Sequence, residues 1–354
     1  MSESGSDGPP DRIVAVPCEG DDALALFALA DGEPLGEVPV GSHPVHATTR
    51  GGRTFVATMG ERAVTAVDAD GAVSRVETGV LGPSHFATAN GELFVSCTAG
   101  DALAVVDPES LTLVARIGVG AEPHEVAVSQ DGDRLYAGSR REGVVDVVDP
   151  AARERLGAVD VGPDARVQGV AVGPEGDRGY AVDQAGARVV AFDPEGVDAP
   201  GGADAPGRPD AAGGADEPGD ASDASVLGEA AVGADPYDLV VTADRVFVPG
   251  RGDGVVHEFD RDLGLAAVHE GFDRPVDLFR IGGERWVLDA AADGLRSLSG
   301  AIVDTPAPGL AATRVGDRLV VSHYDDDRVS LVDVSRGPIW TAETGAYPFG
   351  SVVV

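Results

Sequence analysis

Lysine is absent from this 354-residue chain. All 26 basic residues are therefore arginine, set against 60 Asp and Glu for a net charge of −34. Nucleic-acid binding needs clustered Lys or Arg to neutralise phosphates, and no such cluster is present, so nucleic acid is excluded as a partner. Cysteine is scarce too. Cys18 and Cys97 are the only two and lie in different repeats, which suggests neither a disulfide framework nor a zinc knuckle. Aromatics make up only 5%. No apolar run is long enough to span a bilayer; the longest, Ala23–Ala30, falls well short. Met1–Asp11 is built of Ser, Gly, Pro and Asp and shows neither the basic nor the apolar region of a signal peptide. The expectation is a cytoplasmic, monomeric protein with no membrane partner.

Glycine (49) and proline (24) are abundant, which favours many short strands joined by turns. The clearest repeating unit runs from Gly120 to Val161. It reads as four strands: HEVAVS, RLYAGS after the turn Asp131-Gly132, GVVDVVD, and ERLGAVDV after Pro150. The second strand recurs eight times, at Arg12, Thr54, Leu93, Arg134, Arg178, Arg245, Arg285 and Arg318. The first strand follows Pro44, Pro83, Pro123, Pro236, Pro275, Pro308 and Pro348, with Val167 in the proline's place once. The spacings are 39, 40, 44, 69, 39, 33 and 40 residues. That is the period of a propeller blade. The chain opens in a second strand and ends in a first strand, so the two termini are expected to share one blade and close the ring.

The predicted fold is therefore all-β: one closed β-propeller over residues 11–354 with eight four-stranded blades. Seven is the alternative if the short repeat Pro275–Thr305 is not a blade. Residues 1–10 read as a disordered tail. So does an insertion at about 196–225, made of Gly, Ala, Asp and Pro with some Ser, which lacks the apolar residues that offset ordering entropy. The Asp residues ending the third strands (Asp68, Asp107, Asp149, Asp193, Asp260, Asp333) recur at one position and read as turn hydrogen-bond acceptors.

The residues Gly120, Pro123, Asp131-Gly132, Leu135-Tyr136 and Val147-Val148-Asp149-Pro150 carry a resemblance to the YVTN-family β-propeller repeat over nearly the whole chain. The tetrapeptide that names the family is not intact. The composition, acidic and without lysine, resembles that of haloarchaeal proteins adapted to high salt. The resemblance implies a propeller and says little about activity.

By fold analogy the loops joining fourth to first strands and second to third strands share the channel mouth that usually binds ligands. Two residues past the proline position, successive repeats place His46, His85, Glu125, Gly169, Asp238 and Asp277. His46, His85, Glu125, Asp238 and Asp277 are candidate ligands for a divalent metal ion. Imidazole with carboxylate suits zinc, iron, copper or manganese, and oxygen-rich subsets suit calcium. The bland alternative is a wet, solvated mouth. His124, Arg140, Tyr237, Arg251, His323 and Tyr324 fall on the same face as candidates for binding a small molecule or a protein. The arginine pair suits a carboxylate or phosphate. Neither a Walker A loop nor a G-x-S-x-G elbow is present. Two functions stand: a ligand- or partner-binding propeller, and a metal-assisted enzyme of lactonase, lyase or oxidase type.

Overall fold

Runs rich in Val, Ala and Leu in the second and third strands of most repeats, such as Glu92–Cys97 and Ala102–Asp107, leave little polar face. Such strands are stable only when both faces of the sheet are covered. The computed structural model, which describes residues 12–197 and 226–354, shows that arrangement. Among those residues the strands form eight four-stranded antiparallel sheets, an eight-bladed β-propeller. In one blade, Glu92–Cys97 and Ala102–Asp107 are buried almost throughout, whereas the outer strand Thr112–Gly118 alternates exposed and half-buried residues. No helix among the described residues is long and apolar enough to cross a membrane.

The chain divides into two compact units, Thr78–Asp277 and Met1–Glu77 with Leu278–Val354. In each, the core lies between the faces of neighbouring blades. In the first unit Tyr136, Val145, Val147 and Val159 of one blade interleave with Val167, Val190 and Phe192 of the next. In the second, Val14, Val16 and Phe27 meet Val320, Leu331 and Trp340. Buried carboxylates brace the blades. Asp146, fully buried, accepts from Gly120 N at 2.9 Å, Ser139 Oγ at 2.6 Å and Arg155 Nε at 2.6 Å. An unpaired charge in that position would be costly.

The short repeat folds as a complete blade: Pro275–Ile281, Glu284–Asp289, Gly294–Ser297 and Ile302–Asp304. This removes the seven-blade alternative. Five of the six Asp residues at the ends of the third strands act as expected, while Asp68 instead pairs with Arg53 Nε. Asp107, Asp149, Asp193, Asp260 and Asp333 each accept a backbone N–H two residues on, at 2.8–2.9 Å. The expected tail 1–10 and residues 198–225 of the expected insertion lie outside the described residues. Gly196 and Val197 belong to the fold: Val197 is buried against Tyr136 and Phe192. The strands flanking that segment, Arg188–Phe192 and Val226–Ala231, pair directly.

The termini share a sheet. Val352–Val353 pairs antiparallel with Ile13–Cys18, Val14 opposite Val353 and Ala15 opposite Val352. Ile13 and Val354 exchange hydrogen bonds at 3.1 and 2.9 Å. Ser351 O and Phe349 O accept from Thr313 Oγ1 and Ser322 Oγ. Deleting residues 349–354 removes all of these partners and exposes the edge of Ile13–Cys18. In domains of 150–250 residues 1 kcal/mol corresponds to about 2–4 °C in Tm. With several such bonds lost, Tm is expected to fall by at least about 10 °C. A truncated chain melting with the parent by circular dichroism would contradict the closure.

Candidate functional site

The first strand of several blades carries one residue too many. Between Pro83 and Phe86 the partner strand advances only from Cys97 to Val95. Between Pro123 and Val126 it advances from Ser139 to Ala137, and between Val167 and Gly169 from Asp183 to Val182. Each is a β-bulge, which breaks the strict alternation of side chains and re-aims the residues it contains. The bulges fall immediately after the proline position, on Ser84-His85, His124-Glu125 and Gln168. In the next blade the strand is broken at the same place: Pro236 makes an isolated bridge to Gly250, Asp235 has φ of 53°, and regular pairing resumes only at Val240. Tyr237 and Asp238 occupy the break. Gly169 permits it, because a Cβ there would lie 3.1 Å from Tyr237 O and 3.2 Å from the Cα of Asp238.

These irregularities gather one cluster within the unit Thr78–Asp277. His85, His124 and Glu125 each present a ligand atom, and those atoms lie within 4.8 Å of one another. His85 Nε2 is 3.8 Å from Glu125 Oε2, and the two imidazoles have centroids 4.3 Å apart. His124 is buried, and its Nδ1 lies 2.9 Å from the carbonyl oxygen of Gln168. A carbonyl only accepts, so Nδ1 carries the proton and Nε2 keeps its lone pair. This is the orientation a metal-ligating histidine takes when its other nitrogen is held by a carbonyl. Tyr237 Oη approaches that nitrogen at 3.4 Å, and the side-chain nitrogen of Gln168 lies over the ring, 3.1 Å from Nε2 and 3.3 Å from Nδ1. Gln168 Oε1 is buried and has no hydrogen-bond partner among the described residues.

The electrostatics of the cluster are those of crowded carboxylates. Glu125 is raised to about 8, by burial first and then by the charges of Asp238 and Asp277. Asp238 is raised to about 6 by burial, partly offset by its hydrogen bond from Leu239 N. About a third of the Glu125 side chain meets solvent, which relieves part of the burial penalty, so the direction rests equally on the convergence of three carboxylates. Beside them Tyr237 lies under Arg251, whose guanidinium carbon is 4.1 Å from the ring centroid and whose Nη2 is 3.0 Å from Asp235 Oδ1. Arg140 stands within electrostatic reach of the same tyrosine.

Of the residues expected at the site, His85, Glu125, Asp238 and Asp277 fall within this unit, and His124, Tyr237, Arg140 and Arg251 fall there with them. The remaining three belong to the other unit. His46 packs edge-on to Phe349, centroids 4.9 Å apart, and burial pushes it down to about 4. Gly350 makes room for it, since a Cβ there would lie 2.5 Å from His46 Nδ1. His323 is fully buried, its nitrogens 3.1 Å from Pro308 O and 2.9 Å from Ser330 Oγ, which fits a structural brace. Tyr324 donates to Glu19 Oε2 at 2.7 Å and stacks near Tyr347. Two features escaped the sequence reading: Gln168, and the approach of His124 to the ligand atoms of His85 and Glu125. The signal was the column one residue past the proline, which reads Ser84, His124, Gln168, Tyr237.

No protein-family model matches the chain, and no curated protein matches it. Solved structures resemble it in fold. Dihydro-heme d1 dehydrogenase NirN, solved in complex with DHE, superposes with a TM-score of 0.72 at 13% identity, over 99% of this chain and 77% of that one. A 6-phosphogluconolactonase-like protein from Bacteroides uniformis gives 0.62 at 12% identity, over 98% and 100%. Apo AztD from Citrobacter koseri gives 0.62 at 13%, over 97% and 98%. At these identities the likeness is one of fold.

A carboxyl group whose pKa is higher folded than unfolded adds stability below its unfolded value, and that contribution is lost as pH climbs through the folded value. For Glu125 the window runs from about 4.5 to about 8. Metal-free wild type is expected to lose more Tm across that range than Glu125→Gln. Parallel Tm–pH curves for the two proteins would contradict the placement of Glu125 among carboxylates.

Proposed function

We propose that this propeller binds a small molecule at a site organised by one divalent metal ion held by His85, His124 and Glu125. The observation that carries this reading is the convergence of the three ligand atoms within 4.8 Å. An ion about 2.0–2.2 Å from each atom requires the three ligand atoms to draw somewhat closer together than 4.8 Å. The chemistry of the set agrees. Two neutral imidazoles with a carboxylate suit zinc and its neighbours, and Asp238 and Asp277 add negative charge that a dication would offset. Once bound, such an ion would act as a Lewis acid towards a ligand oxygen. His124 would be oriented by the Gln168 carbonyl, and Tyr237 would be freed to donate to the ligand.

A second reading, metal-assisted turnover of the lactonase, lyase or oxidase type, is favoured by one observation. Asp238 is pushed up to about 6 by burial, so a carboxyl group able to exchange a proton lies beside the metal set. Enzymes occur among the fold neighbours, including virginiamycin B lyase from Staphylococcus aureus, of which a histidine-to-alanine variant is described as catalytically inactive. The absence of lysine and the net charge of −34 support a high-salt setting. The spacing of the repeats supports kinship with the YVTN propellers.

Isothermal titration of chelator-stripped protein with zinc or manganese tests the reading. The expected result is one site per chain, weakened at least about 100-fold by His85→Ala or His124→Ala, because each removes a ligand, where loss of a mere outer-shell partner costs 10–100-fold. A stripped wild-type protein that takes up neither metal would overturn it. A screen of lactones and esters with and without the metal then separates binding from turnover.

A further inference from the structure

A half-buried arginine with no acidic partner is out of place in a chain with 60 Asp and Glu against 26 arginines. Other arginines of its unit pair with carboxylates: Arg155 with Asp146 at 2.6 Å, Arg188 with Asp183 at 2.9 Å, Arg251 with Asp235 at 3.0 Å. Arg140 does not; Arg134, whose Nε is also buried without a partner, precedes the strand Leu135–Ser139 that Arg140 follows and so lies at its other end. The Nε of Arg140 is buried without a hydrogen-bond partner, and its guanidinium enters no ion pair among the described residues. Arg140 N donates to Glu122 O at 3.1 Å, two residues before His124, which sets the arginine at the end of the blade that carries the cluster; its guanidinium feels the like charge of Arg166 and the opposite charge of Glu122. A guanidinium in that position has lost part of its hydration and gained nothing in return, a cost that folded proteins normally offset with an anion.

We infer that Arg140 is the anchor for the carboxylate of a small monoanionic ligand whose other end carries an oxygen donor reaching the His85–His124–Glu125 cluster, as in a short hydroxy or oxo acid. The planar fork of arginine matches a carboxylate bidentately. Charge counting selects one negative charge. Of the arginines whose charge Tyr237 or Arg140 feels, Arg251 is already neutralised by Asp235 and Arg166 is exposed and screened, which leaves Arg140. A dianion such as phosphate would carry excess charge towards Glu125, Asp238 and Asp277. Tyr237 links the two ends of the site: its hydroxyl is 3.4 Å from His124 Nε2, and it feels Arg140 and Arg251 as well as Asp238 and Glu125. The inference rests on the metal reading for the far end of the ligand and on Arg140 alone for the near end.

The test titrates the full chain, zinc-loaded and chelator-stripped, with sodium lactate, sodium acetate and inorganic phosphate at constant ionic strength. Wild type, Arg140→Gln, Arg140→Lys and His124→Ala are compared. Lactate is expected to bind zinc-loaded wild type more tightly than acetate or phosphate. Arg140→Gln should weaken lactate at least about 10-fold, the scale of a hydrogen bond to a charged group, with Arg140→Lys in between and zinc affinity unchanged in both. Lactate binding that survives Arg140→Gln, tighter binding of phosphate, or no binding of any probe would overturn the inference while leaving a zinc site intact. If zinc fails to bind but acetate still binds and is lost in Arg140→Gln, the metal reading falls and the anchor stands. Coincident thermal melts of wild type and Arg140→Lys guard against misfolding as the cause.

Discussion

Burial of both faces of the blades' middle strands, complete in most blades and partial at Val255–Phe259 and Gly294–Ser297, is the constraint on which the rest of the structure depends. Neighbouring sheets within each unit press Val, Ala, Leu and aromatic side chains against one another. That leaves no place for polar side chains except at strand ends, turns and a few fully paired positions such as Asp146. The packing therefore pushes the functional groups out of the regular lattice and onto its edges. The bulges at the starts of the first strands are where this happens. One extra residue after the proline position costs a ladder bond and turns His85, His124 and Glu125 away from the alternation that would otherwise separate consecutive side chains to opposite faces.

The repeat and the blade count were legible because they rest on local chemistry repeated eight times: a proline or its substitute, a turn, and two β-branched runs. The pairing of Val352–Val353 with Ile13–Cys18 was legible because the strand order at one end complements that at the other. The short repeat at Pro275 kept its two inner strands and lost only length outside, so its hydrophobic pattern survived. The site was legible in part. Aligning repeats two residues past the proline found His85, Glu125, Asp238 and Asp277. A bulge, however, brings the residue one position earlier to the same place, and nothing in the spacing announces a bulge. Hence His124 reads as a separate ligand residue and Gln168 is missed. His323 has the look of a surface histidine in sequence, since it precedes Tyr324-Asp325-Asp326. Only the fold shows its ring bonded to Ser330 and Pro308 O inside a blade.

An excess of negative charge pervades the chain, and it gives the positive groups diagnostic weight. Several arginines around the blades are held by carboxylates, as Arg155 is by Asp146 and Arg188 by Asp183. The cluster of Glu125, Asp238 and Asp277 is unusual for the opposite reason, because it gathers negative charge where solvent is restricted. Both departures occur around Tyr237. These two departures are the features on which the proposed cation and anion positions rest.

The most direct measurement is a zinc-soaked crystal analysed by anomalous scattering at the metal edge. The account predicts one ordered peak about 2.0–2.2 Å from His85, His124 Nε2 and Glu125. Peaks confined to surface carboxylates, or density with no ion beside His124 Nε2 at saturating zinc, would contradict it.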